Sequence, residues 1–185
     1  MSQITNLSST ENKTASKDMS QEELDHHFMA RAYQLAQQAQ NHNEIPVGAV
    51  IVANDQIIAE GFNQSIMLND PSAHAEMIAI RQAGNVLQNY RLIDCTLYVT
   101  LEPCPMCAGV LVHSRIKRLV YATKDEKTGA AGSLLNLVNH PGLNHQINVC
   151  EGVMANECSA LLSAFFKRRR AEKKAAKKAE KEQSS

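Results

Sequence analysis

The chain has 185 residues and a formal net charge of zero; 44% of its residues are hydrophobic, 4% are aromatic and none is Trp. This length supports one sizeable aliphatic core and excludes two ordinary domains. With no signal-peptide pattern, no apolar run of transmembrane length and an odd count of five cysteines, we expect a cytoplasmic protein without membrane contact.

The zero net charge hides a strong asymmetry along the chain. Residues 167–181 contain nine Lys or Arg and two Glu, a net charge of +7, so the rest of the chain carries −7. Such a basic run can hold RNA phosphates or can simply be a solvated helix end, and both interpretations stay open. Residues 1–18, rich in Ser, Thr, Asn and Lys, predict a disordered extension, so we divide the chain into 1–18, a domain at 19–166 and a basic helix end and tail at 167–185.

Hydrophobic periodicity and turn residues predict alternating helices and strands through the domain. The predicted elements are a helix at 21–40, strands at 47–52 and 56–62, a loop at 63–70, a helix at 73–82 closed by Gly84, a strand at 95–100, a helix at 105–113, a strand at 118–122, a Gly-rich loop at 123–132, a helical turn at 134–138, a strand at 147–150 and a long helix from 155. This order implies an α/β layered domain with a mixed sheet, an antiparallel hairpin first and strand-helix-strand crossovers after it.

Two short runs contain the residues that point to chemistry, a His-x-Glu at 74–76 and a Pro-Cys-x-x-Cys at 103–107. His74, Cys104 and Cys107 offer three ligands that suit tetrahedral zinc and leave the fourth position open for water, which is typical of a catalytic site. Alone, the Cys-x-x-Cys pair could be a redox pair, half of a structural zinc site or two unrelated thiols. The upstream His-x-Glu favours the signature of zinc-dependent nucleobase deaminases.

Helix geometry limits where such a metal can lie. Residues two apart on a helix point about 200° away from each other, so His74 and Glu76 can converge only beyond the helix N-terminus. Pro105 predicts a second helix start beside Cys104 and Cys107, where thiolates are stabilised. We therefore expect two helix N-termini to face one ion.

Residues 19 to about 170 closely resemble the bacterial tRNA-specific adenosine deaminases, which convert adenosine to inosine at the wobble position of an anticodon. The resemblance lies in EIPVGAV at 44–50, AHAE at 73–76, NYRLID at 89–94, TLEPC at 100–104, MCAG at 106–109 and KTGAAGS at 127–133. It implies a cytidine-deaminase-like fold, a three-layer α/β/α arrangement with a five-stranded mixed sheet.

The resemblance also implies the chemical roles at the site. The family's zinc ligands match His74, Cys104 and Cys107, with one Zn²⁺ per subunit, and its proton carrier matches Glu76. Water activated by zinc would give a proton to Glu76 and attack C6 of adenine, and Glu76 would then return protons to the ring and to departing ammonia.

Substrate contacts follow from the resemblance in the same way. The base pocket matches Asn63 and the backbone around Ala75, and the loop around Asp125 and Lys127 matches the part that meets the tRNA anticodon stem-loop. The family further implies a homodimer. Without the resemblance, Asn63 would be a turn residue and Asp125 an exposed loop acid. Gln64 departs from the family, many members of which have Arg at this position.

Two rival functions remain at this point. One is a deaminase with the same chemistry that acts on a free base or nucleoside such as cytidine, cytosine or guanine. The other is a non-catalytic zinc module that binds RNA. Glu76 argues against the second, since a purely structural site needs neither a proton carrier nor an open coordination position.

Overall fold

The computed structural model describes residues 19–183, so the predicted extension at 1–18 lies outside the described residues. The elements in chain order are α1 (Gln21–Asn41), β1 (Gly48–Ala53), β2 (Gln56–Phe62), α2 (Ser65–Leu68), α3 (Ala75–Leu87), β3 (Thr96–Leu101), α4 (Pro105–His113), β4 (Arg118–Thr123), β5 (Asn148–Glu151) and α5 (Ala155–Gln183). Among the described helices, none is long and apolar enough to cross a bilayer.

The five strands form one mixed sheet in the order β2-β1-β3-β4-β5. Strand β1 is antiparallel to β2 and to β3, whereas β3, β4 and β5 run parallel to one another. Asn54 and Asp55 connect the β1–β2 hairpin with φ angles of 50° and 56°. Such turns match the right-handed twist of the strands. The predicted five-stranded mixed sheet, with its hairpin first, is confirmed.

Side chains alternate between the two faces of the sheet and build two cores. Ile51, Val99 and Tyr121 pack with α3 and α4 on one face. Their neighbours Val52 and Tyr98 face the opposite side and pack with α1 and the start of α5. Because both faces are covered by helices, the domain has the three predicted layers, α/β/α.

A buried ion pair ties α1 to the sheet. Both terminal guanidinium nitrogens of Arg118 donate to the Asp25 carboxylate at 2.6 Å, and the Tyr98 hydroxyl donates to it at 2.9 Å. Burial opposes ionisation of Asp25, but the hydrogen bonds from Arg118 and Tyr98 outweigh burial, and the pKa of this carboxyl is lowered. These directional hydrogen bonds fix the position of α1 relative to β3 and β4, which apolar packing alone would leave less defined.

The structure corrects three of the predicted elements. The predicted loop at 63–70 contains a short helix, α2. Helix α3 does not stop near Gly84 but runs to Leu87, because Gln88 adopts the left-handed conformation and its N–H bonds to the Gly84 carbonyl.

The third correction concerns the helical turn predicted at 134–138, which is absent from this described segment. The N–H groups of Leu134 and Leu135 donate instead to the Gly129 carbonyl, and Leu137 donates to Ala130. A bridge between Ala131 and Asn136 completes this compact loop. These bonds to residues upstream take the backbone donors that a helix would have used.

Gly61 in β2 allows the start of α3 to approach the sheet closely. A Cβ atom at this position would lie 2.3 Å from the Ala75 carbonyl oxygen and 2.9 Å from the Ala79 nitrogen. Both contacts are with backbone, which cannot rotate away as a flexible side chain can. The position of the α3 N-terminus therefore depends on the absence of a side chain at residue 61.

We expect Gly61→Ala to push α3 away from the sheet and to weaken zinc binding by the residues at its N-terminus. Overpacking of this kind costs about 1–3 kcal/mol. Gly109→Ala is the matched control, because a Cβ there meets nothing within 4 Å, and Ala in place of Gly stabilises a helix by about 0.5–1 kcal/mol. Urea unfolding and zinc analysis of both variants test this, and wild-type stability with full zinc content in Gly61→Ala would contradict it.

Candidate active site

The predicted metal ligands lie at the N-termini of two helices. His74 is the N-cap residue of α3, with φ of −77° and ψ of 156°. Cys104 is the N-cap residue of α4, with φ of −71° and ψ of 170°, and Pro105 begins that helix. Neither side chain caps its own helix. The extended backbone at both positions places these residues outside the helices. His74 and Glu76 therefore need not point in the nearly opposite directions that residues two apart on a helix take.

The three side chains come together as a metal-binding group. His74 Nδ1 lies 3.6 Å from Cys104 Sγ and 3.6 Å from Cys107 Sγ. All three ligand atoms lie within 4.8 Å of one another. Tetrahedral zinc with bonds of about 2.3 Å to sulfur and about 2.0 Å to nitrogen would separate nitrogen from sulfur by about 3.5 Å. The donor set and its spacing therefore fit one zinc ion.

One of the three ligands is already deprotonated at neutral pH, and the other two hold their protons. A hydrogen bond from Cys107, assisted by one from His74, lowers the pKa of Cys104 to about 4. The hydrogen bond with Cys104 raises the pKa of His74. The pKa of Cys107 is raised, because its thiol donates to Cys104 and is buried. One thiolate is thus available at neutral pH, and zinc binding would displace the remaining protons.

Glu76 lies in the first turn of α3 and is 4% exposed. Burial raises the pKa of its carboxyl to about 7, and His74, Cys104 and Cys107 lie close enough to influence it. A carboxyl with such a pKa can both accept and return a proton near neutral pH. The structure therefore places Glu76 beside the metal ligands.

Asn63 connects the end of β2 to the start of α3. Its side-chain oxygen accepts a hydrogen bond of 2.9 Å from the Ala75 N–H, and both residues are buried. This bond satisfies one of the backbone donors that a helix N-terminus leaves unpaired. Asn63 and Ala75 are therefore adjacent, as the resemblance implied, and Asn63 also has a structural role in holding α3.

Asp125 and Lys127 lie in the loop after β4. The Asp125 carboxylate accepts from the N–H groups of Lys127 and Thr128, at 3.0 and 3.1 Å, and from the Thr128 hydroxyl at 2.5 Å. Asp125 therefore closes its own turn, and Lys127 is exposed at the tip. The Ala130 N–H donates to the Pro103 carbonyl at 2.8 Å, which joins this loop to the cysteine segment.

Glu102 is the residue at this site whose role the sequence did not reveal. It is 3% exposed, and its carboxylate accepts hydrogen bonds from the N–H groups of Asp125, Ala131 and Ser133, at 2.9 to 3.0 Å, and from the Ser133 hydroxyl. Gly129 packs against the same carboxylate, where a Cβ would lie 2.3 Å away. The Glu102 side chain thus organises the loop at 125–133.

The family model of the cytidine and deoxycytidylate deaminase zinc-binding region matches residues 22–123, a span that includes the three metal ligands. A tRNA-specific adenosine deaminase of Haemophilus influenzae is 54% identical over 153 residues, covering 82% of this chain and 88% of that protein. The chain belongs to the tRNA-specific adenosine deaminase family. The Bacillus subtilis member of this family is 46% identical over 160 residues, covering 86% of this chain and 98% of that protein.

The fold agrees with that of a solved member. A structure from a study of A-to-I editing by tRNA:A34 deaminases superposes with a TM-score of 0.71 at 40% identity, covering 73% of this chain and 98% of that one. The cytidine-deaminase-like fold implied by the resemblance is confirmed, and so is a zinc site made of His74, Cys104 and Cys107.

We expect Glu102→Gln to loosen the loop at 125–133 while zinc binding by the nearby cysteines is kept. Hydrogen bonds to a charged acceptor are worth about 1.5–3 kcal/mol each, and the amide nitrogen would oppose one of the N–H donors. Glu126→Gln is the matched control, because Glu126 is exposed in the same loop and loses the same charge.

Limited trypsin digestion at Lys124 and Lys127, with zinc analysis alongside, measures this effect. Glu102→Gln should be cut several-fold faster than the wild type and than Glu126→Gln, with one zinc per chain in all three. Equal cutting rates would show that Glu102 does not hold the loop.

Proposed function

We propose that the protein deaminates adenosine to inosine at the wobble position, residue 34, of a tRNA anticodon. The observation that carries this proposal is the buried Glu76 carboxyl beside a His/Cys/Cys metal set, in a chain 54% identical to a tRNA-specific adenosine deaminase. A structural zinc module would not need a buried proton carrier beside its ligands. We infer the substrate class, tRNA, from the relatives that this chain resembles.

The reaction replaces the C6 amino group of adenine with oxygen from water and releases ammonia. Zinc, when bound, supplies the Lewis acidity that makes water nucleophilic near neutral pH. Glu76 takes a proton from the attacking water, delivers one to the purine ring, and moves one to the departing amine as the C–N bond breaks. With a pKa of about 7, this carboxyl can hold and release those protons within one cycle.

Asn63 and Ala75 hold the base in this proposal. The Asn63 side-chain oxygen is engaged by the Ala75 N–H, so its amide nitrogen is the group that donates to an acceptor nitrogen of the purine. The bond to Ala75 fixes this amide in one orientation. Adenosine must leave its stack to enter such a site, which is easiest in a single-stranded loop.

The loop at 125–133 meets the anticodon loop beside the reacting base. Asp125 keeps the turn closed through its hydrogen bonds to Thr128, and the exposed Lys127 at the tip contacts a phosphate. Glu102 belongs to the segment that carries the cysteine ligands, and it accepts hydrogen bonds from the loop. The distance between the RNA contact and the metal site is therefore fixed.

We expect Glu76→Gln to lower inosine formation about 10²- to 10⁴-fold, the usual contribution of a general acid–base group, while zinc is retained. The test incubates the protein with a tRNA carrying adenosine at position 34 and sequences the product. Activity near that of the wild type would contradict the assignment. No inosine from the zinc-loaded wild type, with ammonia released from free cytidine, cytosine or guanine, would identify a small-molecule deaminase instead.

We further propose a cytoplasmic homodimer with one zinc per subunit, since tRNA anticodons are cytoplasmic substrates. A groove of about 670 Å³ between the end of α3 and α4 supports the dimer; its lining includes Ile80, Val110 and Tyr90, and Tyr90 is 71% exposed. Exposed aromatic side chains beside an apolar groove are typical of interfaces.

Sedimentation should give twice the chain mass of 20.4 kDa for the wild type. Tyr90→Glu should shift the equilibrium towards the single-chain mass, because a carboxylate would be buried without a partner in the interface. Ile93→Glu, at another exposed apolar position outside this groove, is the control. A single-chain mass for the wild type at micromolar concentration would refute the dimer.

A further inference from the structure

Helix α5 continues well beyond the core that it helps to build. Cys158 and Phe165 are buried, but every residue from Phe166 to Lys181 is exposed. The segment at 167–181 is about 22 Å long at 1.5 Å per residue. Its Ala, Lys, Arg and Glu residues are strong helix formers, so intrinsic propensity rather than packing supports it.

The basic residues of this segment are concentrated on one side of the helix. At about 100° per residue, seven of the nine fall within an arc of about 140°, which we call the basic stripe. Its members are Lys167, Arg170, Lys173, Lys174, Lys177, Lys178 and Lys181. Arg168 and Arg169 lie outside the arc and pair with Glu172. The remaining positions are four Ala and two Glu.

The stripe is not what helix stability alone would favour. Arg170 and Lys174, Lys173 and Lys177, and Lys177 and Lys181 are like charges four residues apart, and such pairs each cost a few tenths of a kcal/mol. Glu172 pairs with Arg168 and Arg169, which lie outside the stripe. A solvated helix end needs charge but does not need one sign collected on one face.

A ligand with regularly spaced negative charges would offset the repulsion. Consecutive side chains along the stripe, such as Arg170, Lys174 and Lys177, are three or four residues apart, or about 4.5–6 Å along the axis. A nucleic-acid backbone presents phosphates in such a row. An anionic membrane would need an apolar face on the same helix, but the opposite face has only Ala, Glu and the two paired residues Arg168 and Arg169.

We propose that the basic stripe of α5 binds the phosphate backbone of the helical stem of the RNA substrate, beyond the loop that enters the active site. This inference rests on the proposed function. The rest of the chain carries −7 against +7 in the segment at 167–181. The stripe is therefore the main source of attraction for a polyanion, and it acts on affinity rather than on the reaction at Glu76.

The first test compares the full chain with a chain that ends at Phe166, using full-length tRNA and a short-stem hairpin with the same anticodon loop. Truncation should raise KM for the tRNA about tenfold or more and change kcat less than twofold. The slope of log K against log salt concentration should become shallower by about 2–3, since each lost phosphate contact contributes about 0.7–0.9. KM for the hairpin should change much less. Equal KM and an equal salt slope for both chains would overturn the proposal.

The second test separates the stripe from net charge. Arg170→Gln with Lys174→Gln removes two charges from the stripe, and Arg168→Gln with Arg169→Gln removes two charges outside it. The stripe pair should weaken tRNA binding at least threefold more than the matched pair. Equal losses would mean that the face of the helix is irrelevant, and circular dichroism of both variants checks that α5 is still helical.

Failure of this inference can be distinguished from failure of the proposed function. If the wild type forms inosine and truncation changes neither KM nor the salt slope, only the inference fails. If the wild type forms no inosine, the proposed function fails, and the salt slope for RNA binding still reports on α5. Binding to vesicles of anionic lipid that depends on residues 167–185, with an unchanged RNA slope, would overturn the RNA assignment.

Discussion

The zinc site depends on two helix N-termini meeting on one face of the sheet. His74 occupies the N-cap position of α3 and Cys104 that of α4, and both helices pack on the core that contains Val99 and Tyr121. Their starts approach because α3 lies directly against Gly61, where even a methyl group would clash with the Ala75 carbonyl. The ligand spacing of 3.6 Å is thus a property of helix packing as well as of the motif.

Buried polar side chains transmit this rigidity to the surrounding loops. Asn63 fixes the α3 N-terminus through Ala75, and Glu102 fixes the loop at 125–133 through three backbone N–H groups. Loops lack the regular backbone hydrogen bonds of helices and sheets. A buried acceptor that binds several of their backbone N–H groups therefore restricts them strongly. In a site that must hold one base next to one carboxyl, such restriction keeps the reacting groups at a fixed distance and orientation.

The sequence predicted the parts of the molecule that local pattern controls. The His-x-Glu and Cys-x-x-Cys runs gave the zinc ligands, and two of these ligands, His74 and Cys104, lie at helix N-termini. The predictions failed where distant residues decide the outcome. The turn at 134–138 is not helical because its donors bond to Gly129 and Ala130, and Glu102 finds its partners 23 to 31 residues away. No local pattern contains that information. Helix α3 passes Gly84 although Val86 and Leu87 are exposed, and it ends where Gln88 adopts the left-handed conformation.

The charge asymmetry separates two tasks that one small domain must perform. Chemistry needs a buried pocket in which the Glu76 carboxyl can both accept and release a proton near neutral pH, and strongly basic surroundings would lower its pKa and weaken its action as an acid. RNA affinity needs the opposite, many cations in water. Placing those cations on an exposed helix beyond Phe166 keeps them away from the buried carboxyl. Contacts made there are equal in the ground and transition states, so they lower KM without altering the barrier that Glu76 and zinc must overcome.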